Sequence, residues 1–304
     1  MTISDKSTIF HGKKIADYVA GERASASPTT AYRLALEYDA EQSMSGLLLD
    51  FLASTDKAKL ETLVIGAWNE PHDEGPREVL DELIRMAPQL PSLKALFVGD
   101  ITYEECEISW IIQSEYASLL SAYPQLEELR IRGSTGLELP AFTHNKLRSF
   151  AIECGGLPQS VLSALARSSM PALEHLELWI GTDGYGFDGT LATVRETVSA
   201  LRTPGLRYLG LRDAEIADDI AVWLSSEPWV ASLHTLDLSL GTLSDVGANA
   251  LLASPHVRGL NKLDLSHHYI SEPLQAKLRA AIPGVVLDDH QKGGEDDRYV
   301  AVGE

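Results

Sequence analysis

Apolar residues recur along the chain in the spacing L-x-x-L-x-L. Eight copies stand at Leu60/Leu63/Ile65, Leu93/Leu96/Val98, Leu126/Leu129/Ile131, Leu147/Phe150/Ile152, Leu173/Leu176/Leu178, Leu206/Leu209/Leu211, Leu233/Leu236/Leu238 and Leu260/Leu263/Leu265. Weaker copies flank them at Ala31/Leu34/Leu36 and Ile282/Val285/Leu287. The second and third apolar residues are two apart, so on a strand they share a face, which must be the core; their neighbours point the other way. A loop and a stretch of helical spacing follow each strand. Val79, Leu80, Leu83 and Ile84 predict one helix, and Val161, Leu162 and Leu165 another. Leu274, Leu278 and Ala281 predict a third led by Ser271, and Ser244-Asp245 opens a fourth. The most apolar helix is predicted over Ile108–Ala122. Pro91, Pro124, Pro171, Pro204, Pro255 and Pro283 stand just before a strand, where proline ends the preceding helix.

The copies begin roughly 20–33 residues apart, a period typical of stacked repeats. The predicted fold is therefore α/β: a curved solenoid of about ten units, with a parallel sheet on the concave side and helices on the convex side. Residues 1–30 are expected to cap it, through Ile9, Phe10, Ile15, Tyr18 and Val19. Residues 31–290 form the solenoid, and residues 291–304 an acidic linker (Gly293-Gly294-Glu295-Asp296-Asp297) and a tail that either packs back or serves as a peptide.

Leu233-His234-Thr235-Leu236-Asp237-Leu238-Ser239, followed by Leu243-Ser244-Asp245-Val246-Gly247-Ala248, resembles the ribonuclease-inhibitor type of leucine-rich repeat. The resemblance implies a right-handed leucine-rich-repeat solenoid. One departure is that Ala214, Gly241 and His268 replace the asparagine expected after the strand. The chain is also similar to an uncharacterised group of bacterial cytosolic leucine-rich-repeat proteins, through Gly99-Asp100-Ile101, Glu104–Trp110 and His267-His268-Tyr269. That likeness brings no activity with it.

Charge narrows the partners. Among 304 residues, 25 are Lys or Arg and 44 Asp or Glu, a net charge of −19. Such a surface disfavours nucleic acid and anionic membranes and suits a protein partner with a basic or mixed surface. Cys106 and Cys154 do not form the paired clusters of secreted repeat proteins, the opening Met1-Thr2-Ile3-Ser4-Asp5-Lys6 lacks a signal peptide's apolar core, and no run is long enough to span a bilayer. The expectation is a cytoplasmic protein with free thiols.

The outward strand positions are mild at first (Thr62, Val64, Ala95, Phe97) and then charged and aromatic. Glu128, Arg130, Arg132, Glu153, His175, Glu177, Trp179, Tyr208, Arg212, Asp213, Asp237, Lys262, Asp264 and His267 make the candidate partner-binding face, since aromatics and arginine among acids anchor protein partners. Long loops at Trp68–Arg77, Gly99–Glu107 and Gly181–Gly189 are expected along one rim, the last as an exposed recognition loop. Function is thus expected to be a non-catalytic interaction scaffold without a cofactor. The alternative is a metal-dependent or hydrolytic enzyme with a shallow site among His175, Glu177, Asp237, Asp264 and His267. A metal cluster of His267, His268 and His290 with Asp264, Asp288 and Asp289 lacks any metal-ligand spacing motif, and Cys154 with His175 lacks an oxyanion element.

Overall fold

The computed structural model describes residues 3–24, 29–294 and 297–303. Met1, Thr2, residues 25–28 of the expected cap, Glu295 and Asp296 of the expected linker, and Glu304 lie outside them. Twelve strands form one open sheet in chain order. They are β1 (Ile9–Phe10), β2 (Lys13–Asp17), β3 (Thr30–Leu34), β4 (Thr62–Ile65), β5 (Ala95–Val98) and β6 (Glu128–Arg132), then β7 (Ser149–Glu153), β8 (His175–Gly181), β9 (Tyr208–Ala214), β10 (Thr235–Asp237), β11 (Lys262–Asp264) and β12 (Val285–Val286). Every neighbouring pair is parallel except the β1–β2 hairpin. Crossing helices are α1 (Met44–Ser54), α2 (Arg77–Met86), α3 (Ala117–Ala122), α4 (Gln159–Leu165), α5 (Leu191–Leu201), α6 (Ala217–Ser225), α7 (Asp245–Ala253) and α8 (Glu272–Ala281).

The core lies between the sheet and these helices. Leu63, Leu96, Leu129, Phe150, Leu176, Leu209, Leu236 and Leu263 stack in register across neighbouring strands, all fully buried. Each such side chain contributes about 1.5–3 kcal/mol by leaving water. The helices add the predicted stripes: Val79, Leu80 and Leu83 on α2, Val161, Leu162 and Leu165 on α4, Leu274 and Leu278 on α8. Ser244 caps α7 by accepting from the Val246 N–H. Ser271 occupies the N-cap of α8, but its hydroxyl caps nothing; instead its N–H donates to Asp245 at 2.7 Å.

Two expectations fail locally. Strand β3 pairs Tyr32 with Leu63 and Leu34 with Ile65, so the weak copy sits two residues earlier than Ala31/Leu34/Leu36. Residues 108–122 are not one helix but a single turn at Ile108–Trp110, an extended stretch and the short α3. The β-branched Ile111 and Ile112 favour extended backbone, Ile112 bridges to Thr135, and the Glu115 carboxylate then accepts from the first α3 N–H groups.

The turns that lack asparagine are satisfied in other ways. His268 accepts the Ile270 N–H on Nδ1 at 3.1 Å, taking the amide's place. At Gly241 the next residue reaches the neighbouring repeat, Thr242 donating its N–H to Ala214 and its hydroxyl to Glu215.

Candidate protein-binding face

The sheet face away from the helices carries the outward residues, and the chain's N-terminal segment covers part of it. The β1–β2 turn folds across the early strands and sets Phe10 on Phe97, ring centroids 5.7 Å apart, beside Val64, Ala95 and Ile15. The Arg130 guanidinium lies over both rings, and His11 pairs with Glu128 at 2.8 Å. Val64, Ala95 and Phe97, expected on an open platform, are therefore fully buried. Large apolar groups on a sheet face gain by being covered, and the N-terminal segment supplies the cover. Of the residues expected to cap the edge, Phe10 and Ile15 go to the face, while Ile9 and Val19 stay exposed.

Beside this cover runs a ladder of ion pairs. Buried Asp100 accepts from Arg33 at 2.6 and 2.8 Å and from Arg132 at 3.4 Å, and its other contact is the Ser7 N–H at 3.2 Å. Arg132 passes on to Glu153 at 2.7 Å, which also meets Arg130 at 3.2 Å. A buried charge stays ionised only with such partners. Arg33 and Asp100 are the structural residues that the spacing did not single out: Arg33 sits in a weak repeat, and Asp100 in a loop.

A second cluster spans β8 to β10. Glu177 accepts from Arg212 at 2.7 Å and Trp179 Nε1 at 2.8 Å, with His175 at 3.4 Å. Arg212 also reaches Asp237 at 3.5 Å and lies over the Trp179 ring, 5.0 Å from its centroid. Tyr208 donates its hydroxyl to Asp237 at 2.8 Å and stacks on His175, centroids 3.9 Å apart. Burial opposes ionisation of Glu177, but the His175 hydrogen bond and the Arg212 charge outweigh it and hold the carboxyl far below the usual range. Burial, with Glu177 and Asp237 close by, pushes the Tyr208 hydroxyl well up. Trp179, expected as a surface anchor, is only 6% exposed and belongs to the main core. Glu153, Glu177 and Asp237 are likewise buried. Glu128, Arg130, His175, Tyr208, Arg212 and Asp264 keep partial exposure, and Lys262 is exposed beside Asp264 at 2.8 Å.

Asp213 and His267 leave the sheet face. Both adopt left-handed backbone at the strand ends (φ 54° and 59°) and turn to the rim, where the C-terminal segment lies. Asp213 accepts the Val302 N–H at 2.9 Å, and His267 contacts the Tyr299 carbonyl at 3.2 Å. In the loop over 181–189, Asp183, Gly184, Gly186 and Asp188 are exposed, while Phe187 is buried in the core and Tyr185 packs on Gly303. Trp68 is also buried, donating to the Glu74 carbonyl at 2.7 Å.

These placements limit the chemistry. In the group His175, Glu177, Asp237, Asp264 and His267, the carboxylates of Glu177, Asp237 and Asp264 already accept from Arg, Trp, Tyr, Lys or Ser, and His267 is engaged by Asp289 and the tail. Cys154 is fully buried with its thiol pushed up to about 12 by burial, so it is a poor nucleophile. Among the described residues no group of three or more His, Cys, Asp or Glu side chains is placed to hold a metal ion, and no helix is long and apolar enough to cross a membrane.

One continuous, mostly parallel sheet built from recurring strand–loop–helix units defines a leucine-rich-repeat-like protein. No family model and no curated protein matches the sequence. Among solved structures, a protein from Bacteroides fragilis is similar, with a TM-score of 0.82 and 29% identity, covering 90% of this chain and 77% of that one. An internalin from Listeria monocytogenes is 13% identical with a TM-score of 0.34, covering 88% of this chain and 74% of its own, too poor a superposition to indicate shared shape.

Proposed function

We propose that this chain is a non-catalytic protein-interaction scaffold of the right-handed, ribonuclease-inhibitor-like type. About ten repeat units over residues 31–290 carry the face, with residues 1–30 and 291–304 as covers. The observation that carries this reading is the partly exposed band that starts at the edge of the N-terminal cover, at Glu128 and Arg130, and runs through His175, Tyr208 and Arg212 to Lys262 and Asp264. There, aromatic rings and arginines are held rigid by neighbouring carboxylates and remain partly exposed. Such preorganised aromatic and arginine groups suit a hot spot, since little side-chain freedom remains to be lost on binding. The mixed sign of the band and the net charge of −19 favour a basic or mixed protein surface over nucleic acid or an anionic membrane. Free, buried thiols fit a bacterial cytoplasmic setting. An enzymatic role is disfavoured because the band's carboxylates are consumed by ion pairs.

The test is a double substitution, His175→Ala with Tyr208→Ala, in protein titrated against the partner isolated from its native host. Affinity falls by about 2 kcal/mol or more, with the unfolding midpoint little changed. Equal affinity in the folded variant removes the band as the binding surface.

A further inference from the structure

The rim that receives the C-terminal segment is built as a docking ledge. At the same place in three successive repeats, two residues past the last strand leucine, the backbone is left-handed at non-glycine residues: Asp213 (φ 54°), Leu240 (φ 70°) and His267 (φ 59°). Left-handed backbone costs an ordinary residue about 1–2 kcal/mol, and a leucine has no side-chain hydrogen bond to offset it. Strain of this kind collects where a ligand is gripped.

All three residues meet the same segment. The Leu240 carbonyl accepts the Ala301 N–H at 2.7 Å, Asp213 Oδ1 accepts the Val302 N–H at 2.9 Å, and His267 Nε2 contacts the Tyr299 carbonyl at 3.2 Å. Tyr269 adds a hydroxyl that receives the Tyr299 N–H at 3.0 Å. Val300, Ala301 and Val302 are buried, Ala301 and Val302 against the main hydrophobic core, and Arg298 reaches Asp218 at 3.5 Å. Farther on, the Gly303 carbonyl lies where a Cβ on Gly155 would come within 2.9 Å, so a side chain there would push the segment off.

Two further observations show that the ledge is not fully used by this segment. Asp213 Oδ2 is buried without a hydrogen-bond partner. A cleft of 370 Å³ remains beside the segment, lined by Asp183, Tyr185, Glu215, Thr242 and the segment itself. The ledge thus grips main chain, and the neighbouring cleft, lined by the 182–185 turn, Glu215 and Thr242, has room for larger side chains.

We infer that the ledge formed by Asp213, Leu240 and His267 is a peptide-binding site for an extended segment with a basic residue, then an aromatic and small apolar residues, and that the chain's own Arg298–Gly303 occupies it as a displaceable internal ligand. The occupant in trans is a segment of another protein with that pattern. A second copy of this chain is disfavoured, because pairing would bring together two molecules each at −19. The ledge lies on the rim, so this inference stands independently of the partner proposed for the sheet face. Held in cis, the segment competes at the millimolar effective concentration typical of a short tether and keeps the ledge closed until a tighter ligand arrives.

The experiment uses the full chain with a specific protease site inserted after Gly294. The protein is folded intact, cut, dialysed, and titrated with a fluorescent peptide spanning Arg298–Gly303, read by anisotropy. The cut protein keeps its circular dichroism and binds the peptide saturably, at least tenfold more tightly than the uncut protein. A peptide with Ala301→Pro, which lacks the N–H given to Leu240, loses at least tenfold. Asp213→Asn, which keeps an acceptor for Val302, binds, whereas Asp213→Ala does not. His175→Ala with Tyr208→Ala leaves peptide binding unchanged, which separates this site from the sheet face. The inference is overturned if cutting unfolds the protein, since the segment is then part of the core. It is equally overturned if cut and uncut protein bind alike, if the proline peptide binds as well as the parent, or if the uncut protein is a dimer with exchanged tails.

Discussion

Asp100→Ala removes the centre of the buried ion-pair ladder. The carboxylate has no exposure and receives Arg33 at 2.6 and 2.8 Å, Arg132 at 3.4 Å and the Ser7 N–H at 3.2 Å. Removing one partner of a buried pair costs about 3–5 kcal/mol, because the other charge stays desolvated. Two features hold the loss to the lower end. Arg132 keeps Glu153 at 2.7 Å and the Ile101 carbonyl at 2.8 Å, while Arg33 keeps Asp17 at 2.8 Å and the Ser7 carbonyl. The expected loss is therefore about 3 kcal/mol. Urea unfolding followed by tryptophan fluorescence measures it as a lower midpoint at unchanged slope. One of the two Ser7 anchors, its N–H bond to Asp100, is lost while the Arg33 bond to its carbonyl remains, so proteolysis within residues 3–17 becomes faster in the variant. A loss below about 1 kcal/mol, with the same proteolysis rate, refutes the view that this ladder holds the N-terminal cover to the face.

Three more predictions follow from the packing. Phe10→Ala costs about 3 kcal/mol by uncovering Phe97, and raises binding of a hydrophobic dye; an unchanged melting temperature and dye signal would count against the cover. Leu236→Ala, between Leu209 and Leu263 in the fully buried row, costs about 2–5 kcal/mol by calorimetry, and a loss under about 1 kcal/mol would contradict the assigned register. His268 is buried, and burial with nearby His290 lowers its pKa from 6.5 to about 4. The folded ring resists a proton that the unfolded chain accepts, so its contribution to stability is full above pH 6.5 and is lost as pH falls toward 4. His268→Gln flattens that slope in acid unfolding curves, and identical slopes would show that the ring is not held neutral.

The strands were largely legible from local spacing. In copies such as Leu209/Leu211 and Leu236/Leu238, alternation alone sets which side chains enter the core, and the register pairs Leu209 with Leu236 across neighbouring strands. The Ala31 copy was misplaced by two residues because a shift of two keeps the same face inward, so the pattern tolerates it. Residues 108–122 were misread because an apolar run without clear periodicity fits helix and extended chain alike. Alternation also tells which face a residue takes but not what lies over that face. Nothing near Phe97 signals Phe10, and nothing near Asp213 signals Val302, for these contacts join residues far apart in the chain. The exposure expected at Trp179 failed for a related reason: Arg212 on the adjacent strand, held by Glu177 two residues before the ring, closes over it.

Hydroxyl-radical footprinting, on the free protein and then on its complex with the isolated partner, tests the division of the sheet face most directly. In the free protein Phe10, Phe97 and Trp179 react slowly, Trp110 (62% exposed) reacts fast, and His175 and Tyr208 react measurably. In the complex His175 and Tyr208 become protected while Trp110 does not. Rapid oxidation of Phe97 and Trp179 in the free protein, or protection confined to helix residues such as Val222 in the complex, would contradict a face closed over its early strands and open for binding beyond them.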